Sequence, residues 1–226
     1  MTHLFLVRHG ATIWHAENRY AGTSDVPLDP RGYAQAERLA TWASEAGLAA
    51  LWCSPLNRAR ETAAPAARAA GLEPRIDERL REIDFGRIEG KTMAEAAQLF
   101  PEEMRRFKAD PATYPMPGGE DPYQVARRAV SALRDIAASH PQGRVLVVAH
   151  NTLIRLALCS LFSIPLACYR TVFPAVRNGA LTEIRLEDDS AALLQYNCPL
   201  GTACGPPPSL QETPGALRQP PDRTTP

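Results

Sequence analysis

The sequence predicts a three-layer α/β protein in which a mostly parallel, open sheet is covered by helices on both faces. Three short apolar segments, residues 3–8, 50–53 and 144–149, each end abruptly in polar residues. They are too short for helices and too continuously apolar for strands that expose one face, so we interpret them as buried strands. Helical patterns alternate with these segments along the chain, and this alternation is typical of a parallel sheet.

The remaining elements follow from periodicity and composition. Helical patterns cover residues 31–46, 56–70, 93–108 and 122–139. Residues 180–186 and 191–196 are separated by acidic residues and predict a closing hairpin. From Gly205 onward the composition shifts to Pro, Gly, Ser and Thr, which cannot bury a core. We therefore expect one folded domain at residues 1–200 and a Pro-rich, disordered tail at residues 201–226.

Length and composition narrow the class of protein. The 226 residues fit one α/β domain, and 25 Lys and Arg balance 25 Asp and Glu, so the overall charge favours neither nucleic acid nor an anionic membrane. Five cysteines form no C-x-x-C pair, which argues for a reducing compartment. No apolar stretch approaches the roughly 18 to 20 residues of a membrane helix. We expect a cytoplasmic protein without nucleic-acid or membrane partners, and a homodimer is compatible with the sequence.

Polar side chains directly follow the predicted strands. Arg8 and His9 end the first strand, Arg58 follows the second, and His150 ends the third. In open α/β sheets the ligand crevice lies beyond the carboxyl ends of the strands, so these side chains are expected to converge there. Two guanidiniums and two imidazoles repel each other unless an anion joins them. Phosphate suits this field because arginine offers it paired, charge-assisted hydrogen bonds.

The same residue types also support chemistry on phosphate. An imidazole attacks phosphorus near neutral pH when a neighbouring group holds its ring and the attacking nitrogen is unprotonated. One of His9 and His150 can attack while the other neutralises the transferring group. A carboxyl group in a cleft can then protonate the leaving oxygen and activate water. Glu82 and Asp84 both precede a glycine turn, and their spacing leaves both open.

Four motifs in these regions resemble those of the histidine phosphatase superfamily, also called the phosphoglycerate mutase-like family. They are residues 6–12 (LVRHGAT), 54–62 (SPLNRARET), 80–90 (LREIDFGRIEG) and 147–155 (VVAHNTLIR). They occur in the family's order, and the resemblance covers roughly residues 3–190. It implies that His9 accepts the phosphoryl group, that Arg8, Arg58 and His150 clamp it, and that Glu82 rather than Asp84 donates the proton.

Two positions depart from the pattern of the family. The family commonly has Glu after its Arg-His-Gly element and Asn after the Trp that follows, whereas this chain has Ala11 and His15. We expect His15 to donate a hydrogen bond to phosphate in place of that Asn. The second histidine is often followed by Gly, whereas Asn151 stands here and is expected either to cap the next helix or to contact substrate. Gly22 is also placed among the substrate-binding residues.

The superfamily contains both phosphatases and mutases. Residues 117–121 (PGGED) resemble the phosphatase branch, including α-ribazole phosphatase-like and broad-specificity members, and the segment that precedes them is short. We therefore expect a phosphomonoester hydrolase that acts on a small phosphorylated metabolite through a phosphohistidine. A cofactor-dependent, phosphoglycerate mutase-like transferase and a non-catalytic phosphate-binding or interaction module are the alternatives. Specificity is expected to come from residues 89–121.

Other reaction classes lack their motifs in this sequence. No cysteine is followed by Arg at the C-x5-R spacing of cysteine phosphatases, and no P-loop or dinucleotide-binding glycine motif is present. No H-E-x-x-H motif suggests zinc, and two arginines already supply the positive charge that a metal brings to phosphoryl transfer. We expect no metal and no cofactor.

Overall fold

A computed structural model describes residues 1–188 and 190–201, in which six strands form one sheet. The strands are β1 (Thr2–Arg8), β2 (Ala50–Cys53), β3 (Arg75–Ile76), β4 (Arg144–Ala149), β5 (Ala180–Glu187) and β6 (Ser190–Pro199). Their order across the sheet is β3-β2-β4-β1-β5-β6. The three predicted buried strands are confirmed as the centre of this sheet. The predicted tail, apart from Gly201, lies outside the described residues.

The sheet is parallel on one side and antiparallel on the other. β1 runs parallel to β4, β4 to β2, and β2 to β3, whereas β5 is antiparallel to β1 and β6 is antiparallel to β5. The predicted mostly parallel sheet and its closing hairpin are therefore confirmed. Arg8 pairs with Ala149, and Cys53 pairs with Val148, in register. This register brings the residues that follow β1, β2 and β4 to the same edge.

Seven α-helices connect and cover the described strands. They are α1 (Pro30–Glu45), α2 (Asn57–Ala70), α3 (Met93–Leu99), α4 (Pro101–Ala109), α5 (Pro122–Ser139), α6 (Asn151–Leu161) and α7 (Tyr169–Val172). The single helix predicted at residues 93–108 is wrong, because two helices meet there at Phe100. Pro101 has no N–H to continue a helix, and it disfavours the helical conformation of the residue before it. No described helix is both long and apolar enough to span a membrane.

Alternate residues of the central strands face two separate cores. Leu4 and Leu6 of β1 join the core that contains residues of α5 and α6. Phe5 and Val7 join the core that contains residues of α1 and α2. Successive strand side chains point to opposite faces, and each fully buried leucine stabilises the fold by about 1.5–3 kcal/mol. Both faces of the sheet are thus covered, as predicted, and the ends of the strands are firmly positioned.

The start of α1 packs directly against the loop after β1. A Cβ atom on Gly10 would lie 2.6 Å from the carbonyl oxygen of Gly32, and one on Gly32 would collide with the Ala11 carbonyl. Asp29 caps α1, because its side chain accepts a hydrogen bond from the Gly32 N–H at 2.8 Å. Only glycine permits this approach of two backbones. The approach fixes the main chain immediately after His9.

Candidate active site

A cavity of about 350 Å³ opens at the sheet edge where β1 and β4 end. This volume suits a small metabolite. Five residues predicted for the site line it: Arg8, His9, His15, Glu82 and Asn151. Arg58 and His150 are fully buried behind this lining. The strand ends therefore bring together side chains that the sequence separates widely.

His9 is held in the tautomer that a nucleophile requires. Its Nδ1 lies 2.7 Å from the Gly10 carbonyl oxygen, so Nδ1–H donates to that carbonyl and Nε2 carries no proton. The centre of its ring lies 5.1 Å from that of His150. The pKa of His9 lies well below its usual 6.5, mainly because the ring is buried. The neighbouring His150, Arg58 and Arg8 lower it further. His9 is thus neutral at physiological pH, and its Nε2 can attack.

His150 contributes a second neutral imidazole. Its Nε2 lies 2.7 Å from the Ser54 hydroxyl oxygen, and its buried Nδ1 has no hydrogen-bond partner. The pKa of His150 lies well below its usual value, mainly because the ring is buried. The charges of Arg58, Arg8 and Arg128 lower it further. A buried ring nitrogen without a partner is costly unless a ligand satisfies it. His150 is therefore suited to contact a group bound beside His9.

Main-chain carbonyls hold the two arginines in place. Arg8 Nη1 donates to Val176 O at 2.7 Å, and Arg58 donates to Ser24 O at 2.8 Å and to Gly22 O at 2.6 Å. The Nε atoms of both arginines are buried without a partner. Burial lowers the pKa of Arg8 to about 10, which still leaves it charged at neutral pH. Because carbonyls do not neutralise a guanidinium, both full charges remain available to an anion.

Gly22 lies in the loop that supports Arg58. A Cβ atom there would collide with the Glu89 carboxylate and the Ile83 carbonyl, so the position has no room for a side chain. Glu89 holds this loop by accepting hydrogen bonds from the Thr23 N–H at 2.7 Å and the Ser24 N–H at 2.9 Å. Gly22 thus positions Arg58 through its carbonyl, and its contact with substrate stays a prediction.

Glu82 lies at the beginning of α6. Its Oε1 accepts hydrogen bonds from the N–H groups of Ile83 at 3.0 Å and Leu153 at 2.9 Å, and its Oε2 accepts from Thr152 N–H at 3.0 Å. Thr152 and Leu153 belong to the first helical turn, where N–H groups lack partners within the helix and a negative charge is stabilised. Asp84, the other candidate, accepts from Gly86 N–H at 2.6 Å and faces a different surface depression. Only Glu82 of the two lies at the cavity.

Asn151 does not cap α6, so that expectation is wrong. His150 occupies the cap position, Asn151 is the first helical residue, and no side-chain cap is formed. The extended backbone continues from β4 up to His150, which leaves Asn151 inside the first turn. Its Oδ1 is buried without a partner, and the residue lines the cavity. Asn151 therefore offers an unused hydrogen-bond acceptor to a ligand.

Several residues of the site gave no signal in the sequence. Asn178 donates from Nδ2 to the His9 carbonyl at 2.9 Å, although it lies far along the chain in a segment without periodicity. Arg155 and Arg170 also line the cavity. Arg155 stands at the end of a recognised motif, one helical turn after Asn151, and this spacing is the only signal that could have indicated it.

Comparison with known proteins agrees with this geometry. Residues 4–199 match the sequence model of the histidine phosphatase superfamily (branch 1). The chain belongs to this family. The architecture described above is therefore the phosphoglycerate mutase-like fold that the sequence motifs implied.

Relatives within the histidine phosphatase superfamily carry two kinds of name. Phosphoserine phosphatase 1 of Hydrogenobacter thermophilus is 32% identical over 203 residues, which cover 89% of this chain and 95% of the relative. A protein of Escherichia fergusonii named Probable phosphoglycerate mutase GpmB is 31% identical over 83% of this chain and 86% of its own length. The structure of a mycobacterial glucosyl-3-phosphoglycerate phosphatase superposes with a TM-score of 0.79, at 28% identity, over 87% of this chain and 99% of that one.

In this histidine phosphatase, His15 supports Arg8. Its Nε2 lies 2.7 Å from Arg8 Nη2 and 3.2 Å from Asn178 Nδ2. On the other side of the ring, Nδ1 accepts a hydrogen bond from the Thr12 N–H at 2.9 Å and lies 2.8 Å from Thr12 Oγ1. Burial and the Arg8 charge lower the pKa of His15 to about 4. In this arrangement His15 lies against Arg8, and the hydrogen bond from His15 to phosphate that the sequence led us to expect stays a prediction.

Because three histidines of the site have lowered pKa values, we expect the free energy of unfolding to fall as the pH falls. His9, His15 and His150 stay neutral in the folded chain, whereas in the unfolded chain they bind protons below the usual pKa of 6.5. Their contribution to stability is therefore complete above pH 6.5 and is lost as the pH falls. Below that value each of the two most buried rings, His9 and His150, lowers the free energy of unfolding by about 1.4 kcal/mol per pH unit.

Urea unfolding at a series of pH values between 7 and 5 measures this dependence. This range lies above the usual pKa of carboxyl groups, so the histidines dominate it. The His15→Asn variant is expected to show a shallower slope than the wild type. A free energy of unfolding that is equal at pH 7 and pH 5 would contradict the buried, neutral state of these rings.

Proposed function

We propose that this chain hydrolyses phosphomonoesters of small metabolites through a phosphohistidine at His9. The observation that carries the proposal is the unprotonated Nε2 of His9, which lies among groups that still lack partners: Arg8 Nε, Arg58 Nε and His150 Nδ1. A phosphoryl group bound there would satisfy all three. Two of the relatives described above are named as phosphatases, and both match over almost their whole length.

The first step transfers the phosphoryl group to the enzyme. His9 Nε2 attacks phosphorus, the bond from phosphorus to the ester oxygen breaks, and Glu82 protonates the departing oxygen. Arg8 and Arg58 stabilise the charge on the transferring oxygens.

The second step returns the enzyme to its starting state. The Glu82 carboxylate takes a proton from water, and the water oxygen attacks the phosphorus of phosphohistidine. The bond between phosphorus and Nε2 breaks, its electron pair returns to His9, and inorganic phosphate leaves. Nδ1–H keeps donating to the Gly10 carbonyl throughout, so the ring does not have to turn between the two steps.

Mutase activity is the second candidate, because one relative of 31% identity carries a mutase name. A mutase would use the same first step and then return the phosphoryl group to another hydroxyl of the substrate. The non-catalytic alternative is disfavoured, because the chain retains the whole set of residues: Arg8, His9 and Glu82 line the cavity, and Arg58 and His150 are buried.

The proposal also includes metal independence and a cytoplasmic location. Arg8 and Arg58 supply the positive charge that a metal ion brings to other phosphoryl-transfer sites. Cys53, Cys159 and Cys168 are free thiols, which suits a reducing compartment. The homodimer stays a prediction, as does a direct contact of Asn151 with substrate.

We expect the purified chain to release inorganic phosphate from p-nitrophenyl phosphate and from members of a panel of phosphosugars, phosphoglycerates and nucleotide-linked phosphates. Dialysis against EDTA should leave the rate unchanged, because arginines supply the charge. Exchange of phosphate between the positions of phosphoglycerate with little release to water would identify a mutase. Phosphate binding without turnover of any ester would identify a binding module.

A further inference from the structure

The cavity holds more positive charge than one phosphoryl group requires. Besides Arg8, it is lined by Arg19, Arg155 and Arg170. Arg19 is already neutralised, since it pairs with Glu17 at 2.7 Å and with Glu95 at 2.8 Å. Arg155 and Arg170 remain as the cations whose purpose the phosphoryl site does not explain.

Arg155 projects from α6, one turn after Asn151. It is 8% exposed, its Nη2 donates to Pro174 O at 2.5 Å, and its Nε is buried without a partner. Burial lowers its pKa, which shows how little solvent reaches the charge. Its other contacts are uncharged as well, since it bonds to the Tyr196 hydroxyl and lies 5.9 Å from the centre of the Tyr169 ring. A buried cation with only uncharged partners is expensive unless an anion joins it. Arg155 therefore has a hydrogen-bond donor and a positive charge that an anionic ligand could satisfy.

Arg170 lies in α7 on the same wall of the cavity. Its Nε donates to the Tyr169 hydroxyl at 3.0 Å, and its guanidinium lies 4.5 Å from the centre of the Phe107 ring. These contacts fix the direction of the Arg170 side chain, but they do not neutralise its positive charge. Within residues 1–188 and 190–201, neither Arg155 nor Arg170 forms an ion pair with a carboxylate.

The balance of charge indicates what the ligand must carry. A phosphoryl dianion matches the charges of Arg8 and Arg58. Glu82 is the only carboxylate among the described residues that line the cavity, and in the proposed first step its role is to give a proton to the leaving group. The charges of Arg155 and Arg170 are then unmatched inside a space of about 350 Å³. A further anionic group on the same small substrate would balance them.

We infer that Arg155 and Arg170 form a second anion site that binds a carboxylate on the leaving group. The substrates are then phosphomonoesters of small carboxylic acids. This inference rests on the proposed function, because it concerns the part of the substrate that departs. Planar guanidiniums bind carboxylates through paired hydrogen bonds, which gives this end of the cavity its selectivity.

Two esters that differ at one group test the inference. 3-Phosphoglycerate and glycerol 3-phosphate share their chain and phosphoester, but only the first has a carboxylate. The wild type is expected to prefer 3-phosphoglycerate, and Arg170→Met is expected to lower its kcat/KM for that ester about 10- to 100-fold. For glycerol 3-phosphate the loss should stay under about threefold. Arg170→Lys should recover part of the loss because it retains the charge.

A matched control removes an arginine elsewhere. Arg105 is exposed on α4, and its ion-pair partner among the described residues is Glu102, so Arg105→Met should leave both kcat/KM values unchanged. Equal losses for both esters in Arg170→Met, or no loss for either, would overturn the second anion site. Hydrolysis of glycerol 3-phosphate by the wild type would uphold the proposed function even in that case.

Calorimetric titration of the His9→Ala variant decides the inference independently of turnover. In that background, 3-phosphoglycerate should bind about tenfold or more tightly than glycerol 3-phosphate, and Arg170→Met should remove the difference. Equal affinity for the two esters would overturn the inference. If the wild type hydrolyses no phosphomonoester while this binding preference holds, then the proposed function fails and the second anion site stands.

Discussion

Replacement of His9 by alanine is expected to lower kcat for p-nitrophenyl phosphate by roughly 10⁴-fold or more. The variant loses the imidazole whose Nδ1–H donates to the Gly10 carbonyl and whose Nε2 is therefore unprotonated. His150 cannot replace it, because its Nε2 is engaged with the Ser54 hydroxyl. Steady-state release of p-nitrophenolate measures the loss, and rapid acid-free quenching should trap no phosphohistidine. Unchanged activity in this variant would end the proposed mechanism.

His140→Ala provides the matched control. His140 lies before β4, at the opposite edge of the sheet from His150, and its ring contacts Trp52 rather than the cavity. Its removal should leave kcat within about twofold of the wild type. Binding of inorganic phosphate by His9→Ala shows that the variant still folds around its two arginines. Together these measurements separate loss of the nucleophile from loss of the fold.

The Glu82→Gln variant is expected to separate the two steps. General acid–base catalysis contributes about 10²- to 10⁴-fold, so turnover should fall by that factor. p-Nitrophenolate departs without a proton, so His9 should still be phosphorylated, while hydrolysis of the intermediate lacks its base. We therefore expect a burst of p-nitrophenolate and a trapped, acid-labile phosphohistidine. Glycerol 3-phosphate, whose leaving oxygen needs a proton, should show slow phosphorylation and no burst.

Asp84→Asn is the control for this substitution, because Asp84 is the carboxyl group that the spacing in the sequence left open. Asp84 lies outside the cavity, so the activity of the Asp84→Asn variant should stay near that of the wild type. Glu82→Gln also has a structural effect, since the three N–H donors that face Glu82 meet an amide with one acceptor oxygen. One unpaired N–H costs about 1–3 kcal/mol. Thermal unfolding measures this cost, and a normal rate of turnover in Glu82→Gln would refute its role.

The sequence predicts the strands and most of the site because both depend on local signals. A short, continuously apolar run ends where Arg8 and His9 begin, and another ends at His150. Parallel pairing then places these ends together, whatever the length of chain between them. Glu82 could be chosen over Asp84 only through the family resemblance, since the deciding contacts come from the distant N–H groups of α6.

The parts that could not be predicted depend on contacts across the fold. Specificity was expected from residues 89–121, yet Met93 is the only one of these among the described residues that line the cavity. Arg155 and Arg170 line it instead, and apart from the spacing of Arg155 one helical turn after Asn151, the sequence does not distinguish these arginines from surface ones. The direction of the His15 ring likewise depends on Asn178, which only the tertiary structure brings near.

The carbonyl groups that orient Arg8 and Arg58 have a consequence for how this protein can change over evolutionary time. Val176 and Ala21 each present a carbonyl oxygen to a guanidinium, and every amino acid carries that oxygen. The hydrogen bonds that hold the two guanidiniums therefore do not depend on the identity of these side chains, provided that the course of the backbone is kept. At Val176 the buried core sets the limit on substitution, whereas at Ala21 the carbonyl would survive a change of side chain and keep the same charge in the same place.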